Sequence, residues 1–151
     1  MAEDEAKRLL EQGNRLLGEG NYQDALASFN KAIAIDQKDP TARSNRGAAL
    51  FALGRYQEAV ESYDRAIAFD PKLAPIWYNR GNALFRLKRY NEAVDSFDKA
   101  LAIDPNNATT WGSRGAALNM LKRYDEAVNN FDKALTIDSN NATSGVAGLP
   151  P

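Results

Sequence analysis

The amino-acid sequence predicts an all-α solenoid, in which pairs of antiparallel helices stack along one axis. The first observation is a stretch that recurs with a period of 34 residues and occurs four times, so that Trp77–Asp104 returns as Trp111–Asp138. A fixed period of this length is typical of stacked repeat arrays. The second observation is that apolar residues within each repeat recur at spacings of three and four, which indicates helices with one buried face. At 151 residues, the chain is one array with short ends.

Each repeat contains two predicted helices, A and B, joined by a short turn. In the first repeat, helix A covers Glu3–Leu17 and helix B covers Tyr22–Ile35, because a glycine-rich turn at residues 18–21 separates them. The later A helices cover residues 41–53, 75–87 and 109–121, and the later B helices cover residues 56–69, 90–103 and 124–137. Pro71 and Pro105 cannot continue a helix, so they end the second and third B helices.

Four columns of small and aromatic residues recur where the helices of a stack must touch. When each repeat is counted from Ala6, Pro40, Ala74 or Ala108, position 8 is Gly, positions 20 and 27 are Ala, and position 24 is Phe or Tyr. The members are Gly13, Gly47, Gly81 and Gly115, then Ala25, Ala59, Ala93 and Ala127, then Phe29, Tyr63, Phe97 and Phe131, then Ala32, Ala66, Ala100 and Ala134. We expect the small residues to let helices approach closely and the ring to fill the remaining space. A larger side chain would then cost roughly 1–3 kcal/mol.

These columns resemble the tetratricopeptide repeat (TPR) family, whose unit is a helix–turn–helix of the same length. The resemblance implies repeats at residues 6–39, 40–73, 74–107 and 108–141, with a lead-in at 1–5 and a non-repeat tail at 142–151. It also implies a right-handed superhelix of about half a turn. In such a superhelix the inner wall is made mostly by the A helices.

The composition argues against several classes of function. The formal net charge is −1, which gives no electrostatic reason to expect nucleic-acid or membrane partners. The chain contains neither Cys nor His, so the usual metal ligands, the thiol nucleophile and the commonest general base are missing. We therefore expect no enzymatic activity, no metal and no cofactor. The acidic N-terminal residues do not resemble a signal peptide, and we expect a cytoplasmic location.

The resemblance further implies that positions 2, 5, 6, 9, 12 and 13 face an inner groove that binds a protein or peptide. One known groove chemistry in the family is a clamp of Lys, Arg and Asn for a partner's C-terminal carboxylates. The corresponding residues in the first three repeats are Leu10, Asn14, Asn45, Pro75 and Asn79, so every cation of the clamp is missing. Because carboxylate recognition depends on charge-assisted hydrogen bonds, we predict that the chain does not bind EEVD tails.

What remains on this surface is a ladder of amides with apolar side chains between them. An Asn side chain offers both a donor and an acceptor, so a row of them can pair with the backbone of an extended peptide. The predicted groove residues are Asn14, Asn45, Phe51, Tyr78, Asn79, Asn82, Phe85, Arg86 and Asn119. The alternative is that each Asn is only a polar residue tolerated on a solvated helix face, in a scaffold without a ligand.

Position 7, where the family usually has Leu, carries a column of arginines. Its members are Arg46, Arg80 and Arg114, with Gln12 in the first repeat. One interpretation is a basic stripe for phosphate. We favour a structural role, because position 25 is Asp in the three repeats that carry Arg and Asn30 in the repeat that carries Gln12. The two columns change together, which predicts Arg–Asp pairs within one repeat, such as Arg80 with Asp98.

The sequence therefore supports two non-enzymatic functions. The first is an adaptor that holds a peptide or helix in the groove. The second is self-assembly, because the residues after the last repeat are not amphipathic and leave the last B helix with an uncovered side. That side could stack on the first helix of another copy, or the tail Val146–Pro151 could enter a neighbour's groove. Head-to-tail contacts of this kind build filaments unless they close.

Overall fold

In the computed structural model, the chain is a row of α-helices, with the backbone described for residues 1–146 and the side chains for residues 1–140. The described backbone contains eight helices and no β-strand. They are α1 (Ala2–Gly18), α2 (Tyr22–Ile35), α3 (Pro40–Ala52), α4 (Tyr56–Phe69), α5 (Ala74–Arg86), α6 (Tyr90–Ile103), α7 (Ala108–Met120) and α8 (Tyr124–Val146). Odd-numbered helices are the predicted A helices and even-numbered ones the B helices. The all-α class and the antiparallel pairs are confirmed.

Helices α3 and α7 begin just after residues whose side chains cap them. Asp39 precedes α3, and its carboxylate accepts a hydrogen bond from the backbone N–H of Thr41 at 2.9 Å. Between helix A and helix B, each repeat turns through one residue with positive φ. These residues are Gly20, Gly54, Lys88 and Lys122, with φ of 82°, 76°, 62° and 63°. Because glycine adopts this conformation without steric cost, the two lysine turns are strained and the two glycine turns are not.

Helix A of each repeat crosses helix B at the glycine column. A Cβ added to Gly81 would lie 2.5 Å from Cε1 of Phe97, so any side chain there would collide with the ring. The same collision occurs at Gly13, Gly47 and Gly115, against Phe29, Tyr63 and Phe131. Each ring of the aromatic column lies directly over the glycine of its own repeat, so the helices cross where the glycine leaves room for the ring.

The A helices lie closer to one another than the B helices do. Each A helix touches the next A helix along the array, whereas no B helix touches the next B helix in the described residues. A stack whose members are closer on one side curves toward that side. The A helices therefore line the concave face, as the resemblance implied.

Position 4 fastens each repeat to the turn that precedes it. The pairs are Arg43 with the Gln37 carbonyl, Trp77 with the Pro71 carbonyl and Trp111 with the Pro105 carbonyl. Each indole Nε1 donates at 2.8 Å, and the shorter Arg43 bond is also 2.8 Å. In the second, third and fourth repeats, the residue at this position differs but supplies a donor to the carbonyl at position 32 of the previous repeat.

The arginine column is structural, but the predicted partners are wrong. We predicted that Arg80 pairs with Asp98 of its own repeat. Instead, Arg80 Nε donates to Asp64 of the preceding repeat at 2.6 Å, and its Nη1 donates to Ser96 of its own repeat at 2.6 Å. Arg114 reaches back in the same way, to Asp98 at 2.6 Å. Each arginine therefore joins three helices and fastens one repeat to the one before it.

The error came from the direction in which position 7 points. That position lies on the side of helix A that packs against the preceding B helix, so its partner belongs to the earlier repeat. Because the pairs cross the boundary between repeats, the arginine at position 7 of one repeat meets the residue at position 25 of the repeat before it. As a result, Arg46 meets the neutral Asn30, with 2.6 Å between Nε and Oδ1, and Asp132 forms no ion pair in the described residues.

The last helix is longer than predicted. It runs to Val146 rather than to residue 137. Ser139 occupies the position at which Pro71 and Pro105 end the B helices of the middle repeats, and serine does not block a helix. The helix therefore includes residues 142–146, which we expected to lie outside it. The rest of the predicted tail, residues 147–151, lies outside the described part of the chain.

The outer side of α8 exposes residues that are buried in earlier repeats. Val94, Phe97 and Leu101 of α6 are 5%, 0% and 7% exposed. Their counterparts Val128, Phe131 and Leu135 are 55%, 39% and 64% exposed, and Tyr124 is 57% exposed. We call Tyr124, Val128, Phe131 and Leu135 the terminal row. In the described residues, no helix packs over this row in the way that α7 packs over α6.

Candidate functional site

The concave face carries most of the predicted groove residues. Successive residues of an α-helix are about 100° apart, so positions 6, 9 and 12 of an A helix share one side, and positions 4 and 7 share the opposite side. On α3 the concave side presents Asn45, Ala48 and Phe51. On α5 it presents Asn79, Asn82 and Phe85. These two helices, together with α7, form the middle of the groove.

A pocket of about 360 Å³ lies in this middle region, and we call it the central pocket. It is lined by Phe51, Asn82, Phe85, Arg86, Ser113 and Ala116. Phe51 and Phe85 pack edge-on against Tyr56 and Tyr90 of the B helices, with ring centroids 5.1 Å and 5.2 Å apart. The B helices thus hold both aromatic walls in place beside an amide, a hydroxyl and a guanidinium.

Arg86 brings a positive charge to the edge of the central pocket. Its guanidinium carbon lies 5.7 Å from the ring centroid of Phe51 and 6.0 Å from that of Tyr56. Such a cation is attracted to the faces of the rings. Arg86 is exposed, and it forms no ion pair with any residue among 1–140. Its charge is therefore available to an acidic group that enters the pocket.

A smaller pocket of about 110 Å³ adjoins the central pocket and shares Phe51 and Asn82 with it. Its other lining residues are Ala48, Tyr63 and Asn79. Tyr63 is 1% exposed, and its ring packs over Gly47. Burial raises the pKa of Tyr63 well above its ordinary value, so the hydroxyl stays protonated and can donate.

The amide ladder is not continuous. Asn45 Nδ2 donates to Asn14 Oδ1 at 2.6 Å, so these two amides partly satisfy each other across the first two repeats. Asn79 and Asn82 line the groove pockets. Asn119 is exposed and lines neither of them. The structure therefore brings together two of the five predicted amides, Asn79 and Asn82, with the aromatic pair Phe51 and Phe85.

Tyr78 lies apart from this group. Its ring packs against Phe97 with centroids 5.9 Å apart, and it lines a separate pocket of about 110 Å³ between the third and fourth repeats. The sequence prediction missed Tyr63 as a pocket residue, whereas Ser113 and Ala116 occupy positions 6 and 9 of the fourth repeat, which we expected to face the groove. A signal existed for Tyr63, because it is the one Tyr in a column that otherwise holds Phe.

Comparison with known families agrees with this architecture. A family described as "TPR repeat" matches residues 13–54 and 47–88, and one described as "Tetratricopeptide repeat" matches residues 74–107 and 108–141. The chain belongs to the tetratricopeptide repeat family. TPR proteins are generally non-enzymatic modules for protein–protein interaction, and this chain has the fold of such a scaffold.

Solved structures of other TPR proteins share the fold. A crystal structure of MamA is similar with a TM-score of 0.88 and 28% identity, over 91% of this chain and 81% of that chain. The first TPR of Spaghetti (RPAP3), bound to the HSP90 peptide SRMEEVD, is similar with a TM-score of 0.76 and 26% identity, over 79% of this chain and 97% of that chain. In sequence, the chain is 40% identical over 46 residues to the TPR repeat-containing thioredoxin TTL4 of Arabidopsis thaliana. That match spans 30% of this chain and 7% of the relative.

Two further properties of the described residues bear on function. No helix among them is both long and apolar enough to cross a membrane. They also contain no group of three or more His, Cys, Asp or Glu side chains placed to hold a metal ion.

Proposed function

We propose that this TPR array is a scaffold that binds an extended peptide or a helical segment of a protein partner in the concave groove. The observation that carries the proposal is the central pocket, where Phe51, Phe85, Asn82 and Ser113 come together. Its volume of about 360 Å³ falls within the roughly 300–1,000 Å³ typical of ligand pockets. Aromatic walls beside a few polar groups are typical of such pockets.

The chemistry of the groove specifies what the partner must offer. An apolar side chain that enters between Phe51 and Phe85 would gain roughly 1.5–3 kcal/mol from burial. Asn79, Asn82 and the Tyr63 hydroxyl would pair with the partner's backbone or polar groups. Arg86 would attract an acidic residue next to the apolar anchor. The preferred partner is therefore a segment with an apolar anchor flanked by Asp or Glu.

A partner segment with an apolar anchor differs from the partner of a carboxylate clamp, in which cationic side chains bind an acidic C-terminus. The Spaghetti domain is bound to SRMEEVD, a peptide that ends in an acidic tail. At the clamp positions of its first three repeats, this chain has Leu10 and Pro75 rather than lysines. We therefore still predict that EEVD tails do not bind. In our proposal, the partner is held by its apolar side chain instead.

Peptide display against the immobilised protein, followed by calorimetric titration of the selected peptides, tests this function. The variant Ser113→Arg fills the central pocket, and Thr136→Arg places the same charge on the exposed side of α8, away from the groove. We expect Ser113→Arg to weaken binding about tenfold or more and Thr136→Arg to change it less than about twofold. Failure to select any peptide, or equal affinity for both variants, would refute the proposal.

A second candidate function is self-association, and the terminal row supports it. Exposed apolar rows of this kind mark interaction surfaces. Stacking on α1 of another copy is disfavoured, because α1 carries the exposed cations Arg8 and Arg15 on the side that packs against a preceding repeat in later A helices. We therefore propose a symmetric contact in which α8 packs against α8 of a second copy.

Light scattering over a wide range of concentrations tests self-association. The expected mass rises from the 16.6 kDa of one chain toward twice that value. Val128→Glu with Leu135→Glu should hold the mass at one chain, because two charges would be buried in the contact. Thr136→Glu, on the exposed outer side of the same helix, is the matched control for an added charge and should still associate. A mass that stays at one chain throughout would refute this candidate.

A further inference from the structure

A similar pocket forms at two of the repeat junctions, between one B helix and the following helix pair. At the junction of the first and second repeats, its volume is about 520 Å³, and we call it the first junction pocket. At the junction of the third and fourth repeats, it is about 340 Å³, and we call it the last junction pocket. In both, positions 4 and 7 of the A helix contribute, so these pockets lie on the side of that helix opposite to the groove.

The cations of the last junction pocket already have partners. Arg114 Nε lies 2.6 Å from Oδ1 of Asp98, and this ion pair neutralises the guanidinium. Lys133 lies 4.3 Å above the ring centroid of Trp111, where the indole face attracts its charge. At this junction, the carboxylate of Asp98 therefore supplies the negative charge that balances the arginine at position 7.

The first junction pocket has the corresponding arginine but lacks the carboxylate. Arg46 Nε donates to the amide oxygen of Asn30 at 2.6 Å, and its Nη1 donates to the hydroxyl of Ser62 at 2.5 Å. Both acceptors are neutral, so no charge balances the guanidinium there. The substitution of Asn for Asp at position 25 of the first repeat is what separates this junction from the others.

Two other positions add positive charge to the same pocket. Arg43 takes the place of the tryptophans of later repeats, and its guanidinium lies 5.5 Å from the ring centroid of Phe69. Arg65 takes the place of the lysines at position 26 of later repeats. Both arginines line the pocket together with Arg46. Three guanidinium groups therefore lie around one cavity.

The nearby carboxylates do not neutralise these groups. Asp64 lines the pocket but is bonded to Arg80 of the third repeat at 2.6 Å, and Glu61 is the other carboxylate in the lining. Within residues 1–140, none of the three arginines forms an ion pair. Burial, together with the neighbouring arginines and against the opposing effect of Glu58, lowers the pKa of Arg46. That direction is expected for a guanidinium whose charge is not fully balanced.

We propose that the first junction pocket binds a phosphoryl group through Arg43, Arg46 and Arg65. The planar guanidinium presents parallel N–H donors that match phosphate oxygens, and two or more guanidiniums can share one phosphoryl group. A cavity of about 520 Å³ is open enough for a phosphorylated side chain of a protein partner as well as for free phosphate. Both sources present the same tetrahedral oxyanion to the arginines.

The first test follows the arginine Nε–H signals of nitrogen-15-labelled protein during titration with sodium phosphate at constant ionic strength. Sodium chloride over the same range is the control for charge screening. We expect a saturable shift of the Arg46 signal and no comparable shift of the Arg114 signal. A response that does not saturate, or that is equally large at Arg114, would overturn the proposal.

The second test restores the missing carboxylate. Asn30→Asp recreates the ion pair found at Arg80 and Arg114, so the fold should be retained and phosphate affinity should fall about tenfold or more. Asn21→Asp makes the same charge change at an exposed position of the same repeat and should leave the affinity unchanged. If Asn30→Asp binds phosphate as tightly as the parent chain, the proposal fails.

A third arm separates the two sources of the phosphoryl group. The probes are a pentapeptide with one phosphoserine between glycines and its unphosphorylated counterpart. Tighter binding of the phosphopeptide than of inorganic phosphate supports a phosphorylated partner, and equal binding supports free phosphate as the ligand. Equal binding of the two peptides would contradict recognition of the phosphoryl group.

Discussion

The first and last helices of the array each lack a neighbour on one side, yet they present opposite surfaces there. At positions 3 and 10, α1 carries the exposed Arg8 and Arg15, where later A helices carry buried residues such as Ile76 and Ala83. At the other end, α8 keeps the apolar residues of an interior B helix and exposes them. The N-terminal end thus has the polar outer face of a terminal repeat, and the C-terminal end has the face of an interior repeat.

The difference shows that the exposure of a residue in this fold depends on its neighbours and not on its repeat position. Phe97 and Phe131 occupy the same position, and both pack on the glycine of their own repeat. Only Phe97 is also covered by a following A helix. A helix packed over the terminal row would therefore bury its residues, as α7 covers their counterparts on α6.

The largest expected effect compares these two aromatic residues. Phe97→Ala should lower the free energy of unfolding by about 3–5 kcal/mol, because it empties a closed site in the core. Phe131→Ala should lower it by less than about 2 kcal/mol, because the ring is 39% exposed. Urea unfolding followed by circular dichroism measures both. Equal losses in dilute solution would mean that the terminal row is covered there.

The next effect concerns the aspartates that bind the arginine of the following repeat. Asp98→Ala breaks the ion pair with Arg114 and should cost about 1–2 kcal/mol. Asp132→Ala is the same change in the last repeat and should cost less than about 0.5 kcal/mol. In a double-mutant cycle, Asp98 should couple to Arg114 by about 1 kcal/mol and not to Arg80. Coupling of Asp98 to Arg80 instead would support the pairing within one repeat that we predicted from the sequence.

The turns give a smaller effect. Lys88→Gly should raise the free energy of unfolding by about 1 kcal/mol, because it relieves a left-handed backbone conformation at a lysine. Lys122→Gly makes the same change next to the exposed end, and its effect should be no larger. Gly54→Lys is the reverse control in the second repeat and should destabilise the protein. Thermal unfolding curves check all three, and no gain from Lys88→Gly would contradict the assigned strain.

The smallest effect depends on pH. A hydrogen bond from Arg55 lowers the pKa of Glu58, and one from Arg89 lowers the pKa of Glu92. A carboxylate with a lowered pKa in the folded state contributes stability above its ordinary pKa of 4.5, and that stability is lost as the pH falls through the lowered value. Because both groups are at the surface, the loss should be small.

Melting temperatures measured from about pH 6 down to about pH 3 check this prediction. Glu58→Gln should reduce the dependence on pH in the acidic range. Asp24→Asn, at the corresponding position of the first repeat, should change it less, because that turn has Asn21 in place of the arginine. An identical pH profile for the parent chain and Glu58→Gln would rule out a contribution from this pair.

Much of the fold could be predicted because the repeat presents its pattern four times. The bounds of α1 to α7 agree with the prediction to within one residue at every end, since the same turns recur in every repeat. The end of α8 could not be predicted in this way, because nothing there stops the helix. The candidate site was predicted less well: Asn79, Asn82, Phe51, Phe85 and Arg86 gather in it, while Asn14, Asn45, Tyr78 and Asn119 do not.

The sequence by itself determined the number of helices and the crossing of each pair at Gly, because these follow from local periodicity and from residues that recur in every repeat. The concave side of the array was implied by the resemblance to the TPR family. Only the tertiary structure decided which residues pair across a boundary between repeats. Arg80 binds Asp64 and not Asp98 because the side of helix A that carries it faces the previous repeat. Along the chain, Asp64 lies 16 residues before Arg80 and Asp98 lies 18 residues after it, so spacing hardly distinguishes them, and the packing of neighbouring repeats decides between the two.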